Sequence, residues 1–178
     1  MAIKTMSHSS GGGKWSEGWH TLTISKGEYG DWNDKKYIDI FFDGYPETFK
    51  LRVFQAHNKE NHEEFAIARF FKFANAGVID IIKSSDGKEA LQYDDDVKGL
   101  VGKQINGFFY MDNKGDKQYA KISDRIAPTV QLGDIISYSE DDVLYWKSVS
   151  EKHYNEYLKK SESNTPTASN SEEENTPF

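Results

Sequence analysis

The order in which hydrophobic periodicities follow one another predicts a mostly β fold with two helices and an acidic tail. Period-two alternation runs through residues 19–54, period 3.6 takes over across residues 63–76, and alternation returns across residues 102–122 before a second helical stretch from Ser139.

Composition sets the frame. The 178 residues are 37% hydrophobic and 29% charged, polar for one globular domain, so the apolar deficit is expected in unfolded appendages. Aromatics reach 14%, more than a small core needs, which points to rings on a working surface. With no cysteine, disulfides, Cys-based zinc sites and thiol catalysis are excluded. No apolar run approaches a membrane span and no apolar signal core opens the chain, so the expectation is a cytoplasmic protein with no membrane partner. The net charge of −7 is uneven: residues 161–178 carry four Glu and no Lys or Arg, leaving the rest near −3.

Residues 1–18, rich in Ser and Gly, read as a flexible arm, with Lys4 and Lys14 giving it weak positive charge. Residues 19–25 alternate with Leu22 and Ile24 inward, and residues 28–34 read as a turn. In the next strand Ile38, Ile40 and Phe42 point in, and Tyr37, Asp39 and Phe41 point out. The third strand turns Phe49, Leu51 and Val53 inward and Lys50, Arg52 and Phe54 outward.

Ile67, Phe70, Phe71 and Ala74 then recur at helical spacing, with Asn61 as N-cap, Glu64 three residues on as in a capping box, and Asn75-Ala76-Gly77 as a left-handed stop. Residues 78–82 read as a short strand or a helix remnant, residues 84–87 as a turn, and Asp94, Asp95 and Asp96 as an acidic loop. Residues 102–111 and 117–122 form a hairpin joined by a loop over 112–116. The last helix starts at a Ser139/Asp142 box, presents Val143, Trp146, Val149 or Ser150, His153 and Tyr157 on one face, and either docks on the body or makes a homodimer. The domain plan is therefore an arm (1–18), a body (19–138), a helix (139–160) and a disordered acidic tail (161–178).

Three strands, a helix and two more strands is the order of the five-stranded OB-type barrel, which binds oligonucleotides on its second and third strands. The outward residues there are Tyr37, Phe41, Lys50, Arg52 and Phe54, and the hairpin adds Tyr110, Lys114, Lys117, Tyr119 and Lys121. Rings stack on bases and cations follow phosphates, so these ten are the candidate DNA-binding residues.

The chain closes on Glu172-Glu173-Glu174-Asn175-Thr176-Pro177-Phe178. This resembles bacterial single-stranded DNA-binding proteins, whose disordered tails end in acidic residues and Pro-Phe, and T7-type phage proteins of the same function, which pair one OB barrel with an acidic tail ending in Phe. The resemblance implies a phage-encoded protein acting in an infected bacterial cell, in DNA replication, recombination and repair. It implies that Glu172, Glu173, Glu174, Pro177 and Phe178 recruit replication or recombination proteins and that the tail competes with DNA for the groove. Thr176 stands where the bacterial pattern has an apolar residue, and the acids are Glu rather than Asp, which favours a phage partner over the host's own. Independently of any family, a terminal carboxylate beside a ring suits a cationic apolar slot, and glutamates speed encounter with basic partners.

Other chemistries fit poorly. Asp39, Asp43, Glu47 and Lys50 have the wrong spacing for a metal nuclease, and alternation sends both aspartates to a solvent face without a defined partner. Consecutive Asp94, Asp95 and Asp96 lack the spaced ligands and central Gly of a calcium loop. His57 and His62 lack a third ligand, and Gly11-Gly12-Gly13 follows no strand. The expectation is a non-enzyme without cofactor or metal. The competing reading is a protein-binding adaptor on the same barrel, which would lack salt-sensitive DNA binding.

Overall fold

A computed structural model describes residues 13–163. The arm before Gly13 and the tail after Ser163, including Glu172, Glu173, Glu174, Pro177 and Phe178, lie outside the described residues.

The elements are β1 (Gly18–Trp32), β2 (Lys35–Phe42), β3 (Leu51–Phe54), α1 (Ala66–Ala74), β4 (Val78–Lys83), β5 (Glu89–Tyr93), a 3-10 turn (Val97–Leu100), β6 (Gln104–Lys114), β7 (Lys117–Ile122), β8 (Gln131–Leu132), β9 (Ser137–Tyr138) and α2 (Glu140–Ser163). Five strands form an antiparallel sheet in the order β3-β2-β1-β6-β7, with β4-β5 and β8-β9 as separate two-stranded sheets. The ladder ends at β3 on one side and β7 on the other, so the strand pairings describe an open sheet and not a closed barrel.

β1 organises the sheet. Its first half pairs with β6, from Gly18 opposite Phe109 to Thr23 opposite Gln104, and its second half pairs with β2. A register shift between Ile24 and Lys26 separates the halves, and an extra residue at such a bulge bends the strand between its two partners. The strand runs seven residues past the expected end at Ser25. The Gly-rich segment read as a turn is strand, and the reversal falls on Asn33 and Asp34, whose φ of 51° and 63° suit a two-residue hairpin.

The inner face carries Leu22, Ile24, Ile38, Ile40, Phe42, Leu51, Val53, Ile105 and Phe109, all buried. α1 lays Ile67, Phe70, Phe71 and Ala74 on this core, the face its periodicity predicts, and Phe73 is buried too. The helix is shorter than residues 63–76 and its cap differs from the expected one. Asn61 accepts only the Glu63 amide, whereas the Glu64 carboxylate accepts the amides of Ala66, Ile67, Ala68 and Ala56 at 2.9–3.0 Å. One acidic side chain thus satisfies three N–H groups of the first turn and favours the positive helix end. Asn75, at φ 51°, ends the helix in the left-handed conformation expected of it.

Residues 78–93 form the β4–β5 hairpin, which turns Val78, Ile81, Leu91 and Tyr93 toward the core and leaves Ile79 and Ile82 exposed. β6 extends to Lys114, through residues read as loop, and the turn to β7 is Gly115-Asp116, with Gly115 at φ 65°.

α2 docks on the body. Ser139 and Asp142 form the reciprocal cap, the Asp142 amide donating to the Ser139 hydroxyl at 3.1 Å and the Ser139 amide to the Asp142 carboxylate at 2.8 Å. The docked face is Val143, Trp146, Ser150 and Tyr154. Val143 and Ser150 are buried, while Trp146 packs on Phe73 of α1 at 5.0 Å and Tyr154 on Phe108 at 5.1 Å. His153 and Tyr157, expected on that face, are exposed, and the helix runs three residues past Lys160. Among the described residues no helix is long and apolar enough to cross a membrane.

Candidate nucleic-acid interface

Cross-strand partners in an antiparallel sheet share a face. The register therefore places Lys26, Glu28, Gly30 and Trp32 of β1, Lys35, Tyr37, Asp39 and Phe41 of β2, and Arg52 and Phe54 of β3 together on the outer face. Five of the ten residues expected to contact DNA lie at this end, because Lys50 joins it through Asp39 at 3.4 Å.

The centre of the face is a layered stack. Gly30 lies opposite Tyr37 and has no side chain, so the tyrosine ring rests on its backbone. A Cβ there would come within 2.5 Å of the ring. The Arg52 guanidinium lies over the ring, 3.8 Å from its centroid. Arg52 is held in this plane by Asp39, to which Nε donates at 2.7 Å and Nη2 at 2.9 Å. Phe54 packs edge-on to Tyr37 at 5.6 Å and tilted to Trp32 at 6.3 Å, with the Lys35 ammonium 6.0 Å from its centroid. Trp32, 59% exposed, is the ring most open to solvent here.

Two expectations are corrected. Asp39 faces outward but is buried and doubly paired, not a solvated acid without a partner, because Arg52 and Lys50 fold over it. Burial pushes its carboxyl up, yet the hydrogen bonds and charges of Arg52 and Lys50 outweigh this and hold it below the usual carboxylate range. Phe41 is also on the outer face but only 8% exposed, covered by the Lys26 and Lys50 ammoniums at 4.6 and 5.9 Å from its centroid.

The cations are consequently unequal. Arg52 and Lys50 engage Asp39, and Lys26 engages Glu28 and Glu47, each at 3.1 Å. Lys35 and Lys36 form no ion pair among the described residues, and Lys36 sits 4.7 Å from the centroid of Tyr29.

The other five expected residues form a second group on the β6–β7 hairpin. The register gathers Tyr110, Lys114, Lys117, Tyr119 and Lys121 on one face with Asp112. Lys114, Lys117, Tyr119 and Lys121 are exposed, and Lys121 pairs with Asp112 at 2.9 Å. Tyr110 is half-buried against Tyr154 of α2 at 5.4 Å, and burial pushes its hydroxyl up. α2 also covers Trp19 and Phe108, with the Lys147 ammonium 5.6 Å from the Trp19 ring.

Trp32, Lys35 and Gly30 were not among the expected residues. The signal that could have found them is Asn33-Asp34, a hairpin-turn dipeptide, which would have extended the first strand through Trp32.

Among the described residues no group of three or more His, Cys, Asp or Glu side chains could hold a metal ion. Asp96 caps the 3-10 turn by accepting the Lys98 amide at 2.9 Å, and Asp94 accepts the Asp96 amide at 3.0 Å. No protein-family model matches the chain, and no curated protein does.

Proposed function

We propose that this chain is a non-enzymatic single-stranded DNA-binding protein on an OB-type scaffold. It would bind without sequence preference on the outer face of β1, β2 and β3. The observation that carries the reading is the Trp32–Phe54–Tyr37–Arg52 surface, a run of rings and one fixed guanidinium on adjacent strands. Every base has a π-face, so such a platform stacks bases without reading sequence. The strand order β3-β2-β1-β6-β7, with α1 between β3 and β6, suits an OB barrel opened between its third and fifth strands.

The ion pairing refines the division of labour. Arg52 already spends two donors on Asp39, so it acts as a stacking plane and not as a phosphate clamp. Lys35 at the β1–β2 turn is the phosphate contact of this face, whereas Lys36 alternates to the opposite side over Tyr29. Lys114, Lys117 and Lys121 extend the charged track along β6–β7. Residues 164–178 act as the acidic competitor for that track, and Pro177 and Phe178 as the recruiting tip for replication or recombination proteins.

Fluorescence anisotropy of labelled oligo-dT, at low and moderate salt, tests this with the full chain and a chain ending at Ser163. Salt-sensitive binding that tightens on truncation is expected. No binding by either form overturns the reading and favours the adaptor.

A further inference from the structure

A second cationic site lies away from the sheet face. Arg69 of α1 and Arg125 of the segment after β7 line one small cleft with Phe73, Trp146 and His153. Both arginines are half-buried, and neither has a side-chain hydrogen bond or ion pair among the described residues. This is unusual chemistry for a chain of net charge −7. A partly desolvated guanidinium normally sits against a carboxylate.

The nearest acids do not serve. Glu64 is committed to the amides at the start of α1, and Asp124 is exposed and forms no ion pair within the described residues. Burial pushes the Arg69 guanidinium below its ordinary range and the charge of Arg125 pushes the same way, outweighing the opposite pull of the Asp124 and Glu64 charges. Two like charges thus share a cleft with no carboxylate ion-paired to either guanidinium among the described residues. The Ser150 hydroxyl on its wall is already donated to the Ile126 carbonyl at 2.9 Å, so the remaining side-chain donors on the wall are the two guanidiniums, the Trp146 indole and His153.

We propose that the Arg69–Arg125 cleft is a binding site for a phosphate group, held by the two guanidinium forks and closed on one side by His153. A dianionic oxyanion cancels the repulsion and accepts several charge-assisted hydrogen bonds at once. The site stands apart from the β1–β3 face and does not depend on the reading of that face.

The experiment is thermal unfolding of the full chain in phosphate-free buffer at constant ionic strength, titrated with pyrophosphate and, separately, with oligo-dT. Pyrophosphate raises the wild-type Tm saturably. R69Q and R125Q each weaken that response at least about tenfold while leaving the unliganded Tm equal or higher, because one of two repelling charges is gone. R69K, which keeps the charge but loses the fork, falls between. If oligo-dT affinity drops in the same variants, the phosphate is a nucleic-acid backbone phosphate. If only the pyrophosphate response drops, the ligand is a separate phosphoryl compound. A variant with Trp32 and Tyr37 both changed to Ala retains the pyrophosphate response, which separates this site from the sheet face. A pyrophosphate response that survives R69Q/R125Q, or its absence from the wild type, overturns the proposal.

Discussion

Arg52 clasps Asp39 across the β2–β3 pair with two hydrogen bonds, at 2.7 and 2.9 Å, and the same guanidinium covers the ring of Tyr37. A buried carboxylate on the outer face thus sets the orientation of a cation that would otherwise sample many rotamers.

Asp39→Asn should cost about 1–2 kcal/mol at neutral pH, the low end for a charged hydrogen-bond pair because Arg52 is 35% exposed. The carboxyl is held below its ordinary value, so its contribution is complete above the unfolded value of about 4 and is lost as pH falls through the folded value. Urea unfolding from pH 7 to pH 2 should show the gap between wild type and Asp39→Asn narrowing below about pH 4. A gap that widens there contradicts the account.

Trp32→Ala and Phe41→Ala should separate binding from folding. Trp32 is largely exposed, so its loss leaves stability nearly unchanged and weakens oligo-dT by about 1–3 kcal/mol. Phe41 is 8% exposed, so its truncation destabilises the fold by up to about 3–5 kcal/mol. Anisotropy and urea midpoints on both variants check this, and equal profiles would contradict it.

Gly30→Ala should act through Tyr37. The added methyl meets the ring, which must move off the strand and carry Arg52 with it. The expected cost is about 1–3 kcal/mol of stability, as for overpacking, with weaker oligo-dT binding. In Tyr37→Ala the same change should be nearly silent, so a double-mutant cycle gives a coupling above about 0.5 kcal/mol. Additive effects would place the constraint elsewhere.

Ser139→Ala should destabilise by about 0.5–2 kcal/mol through loss of the α2 cap. Tyr154→Ala should cost more, because it uncovers Phe108 and Tyr110 on the outer face of β6. Near-UV circular dichroism and urea midpoints distinguish local fraying from loss of docking.

Legibility followed the regularity of the pattern. The alternation in β2 and β3 identified Ile38, Ile40, Leu51 and Val53 correctly as interior, and the Ser139/Asp142 pair marked the start of α2. The β4–β5 hairpin was obscure because a register shift between Val78 and Asp80 breaks the period and apolar Ile79 and Ile82 face outward. The docking face of α2 was read almost in place, but Tyr154 and not His153 makes the contact, since a long amphipathic helix leaves neighbouring stripes nearly equivalent until a partner surface selects one.

The sequence by itself determined which residues alternate, where the chain changes period and which ends carry caps, because these depend on neighbours within a few positions. Only the tertiary structure decided that Asp39 is buried, that Gly30 is the bed for Tyr37, that Glu64 closes the first turn of α1 and that Arg69 and Arg125 share a cleft. Burial and pairing depend on residues from other strands and helices, and local periodicity carries no record of which charges are brought together when the sheet and helices close on the core.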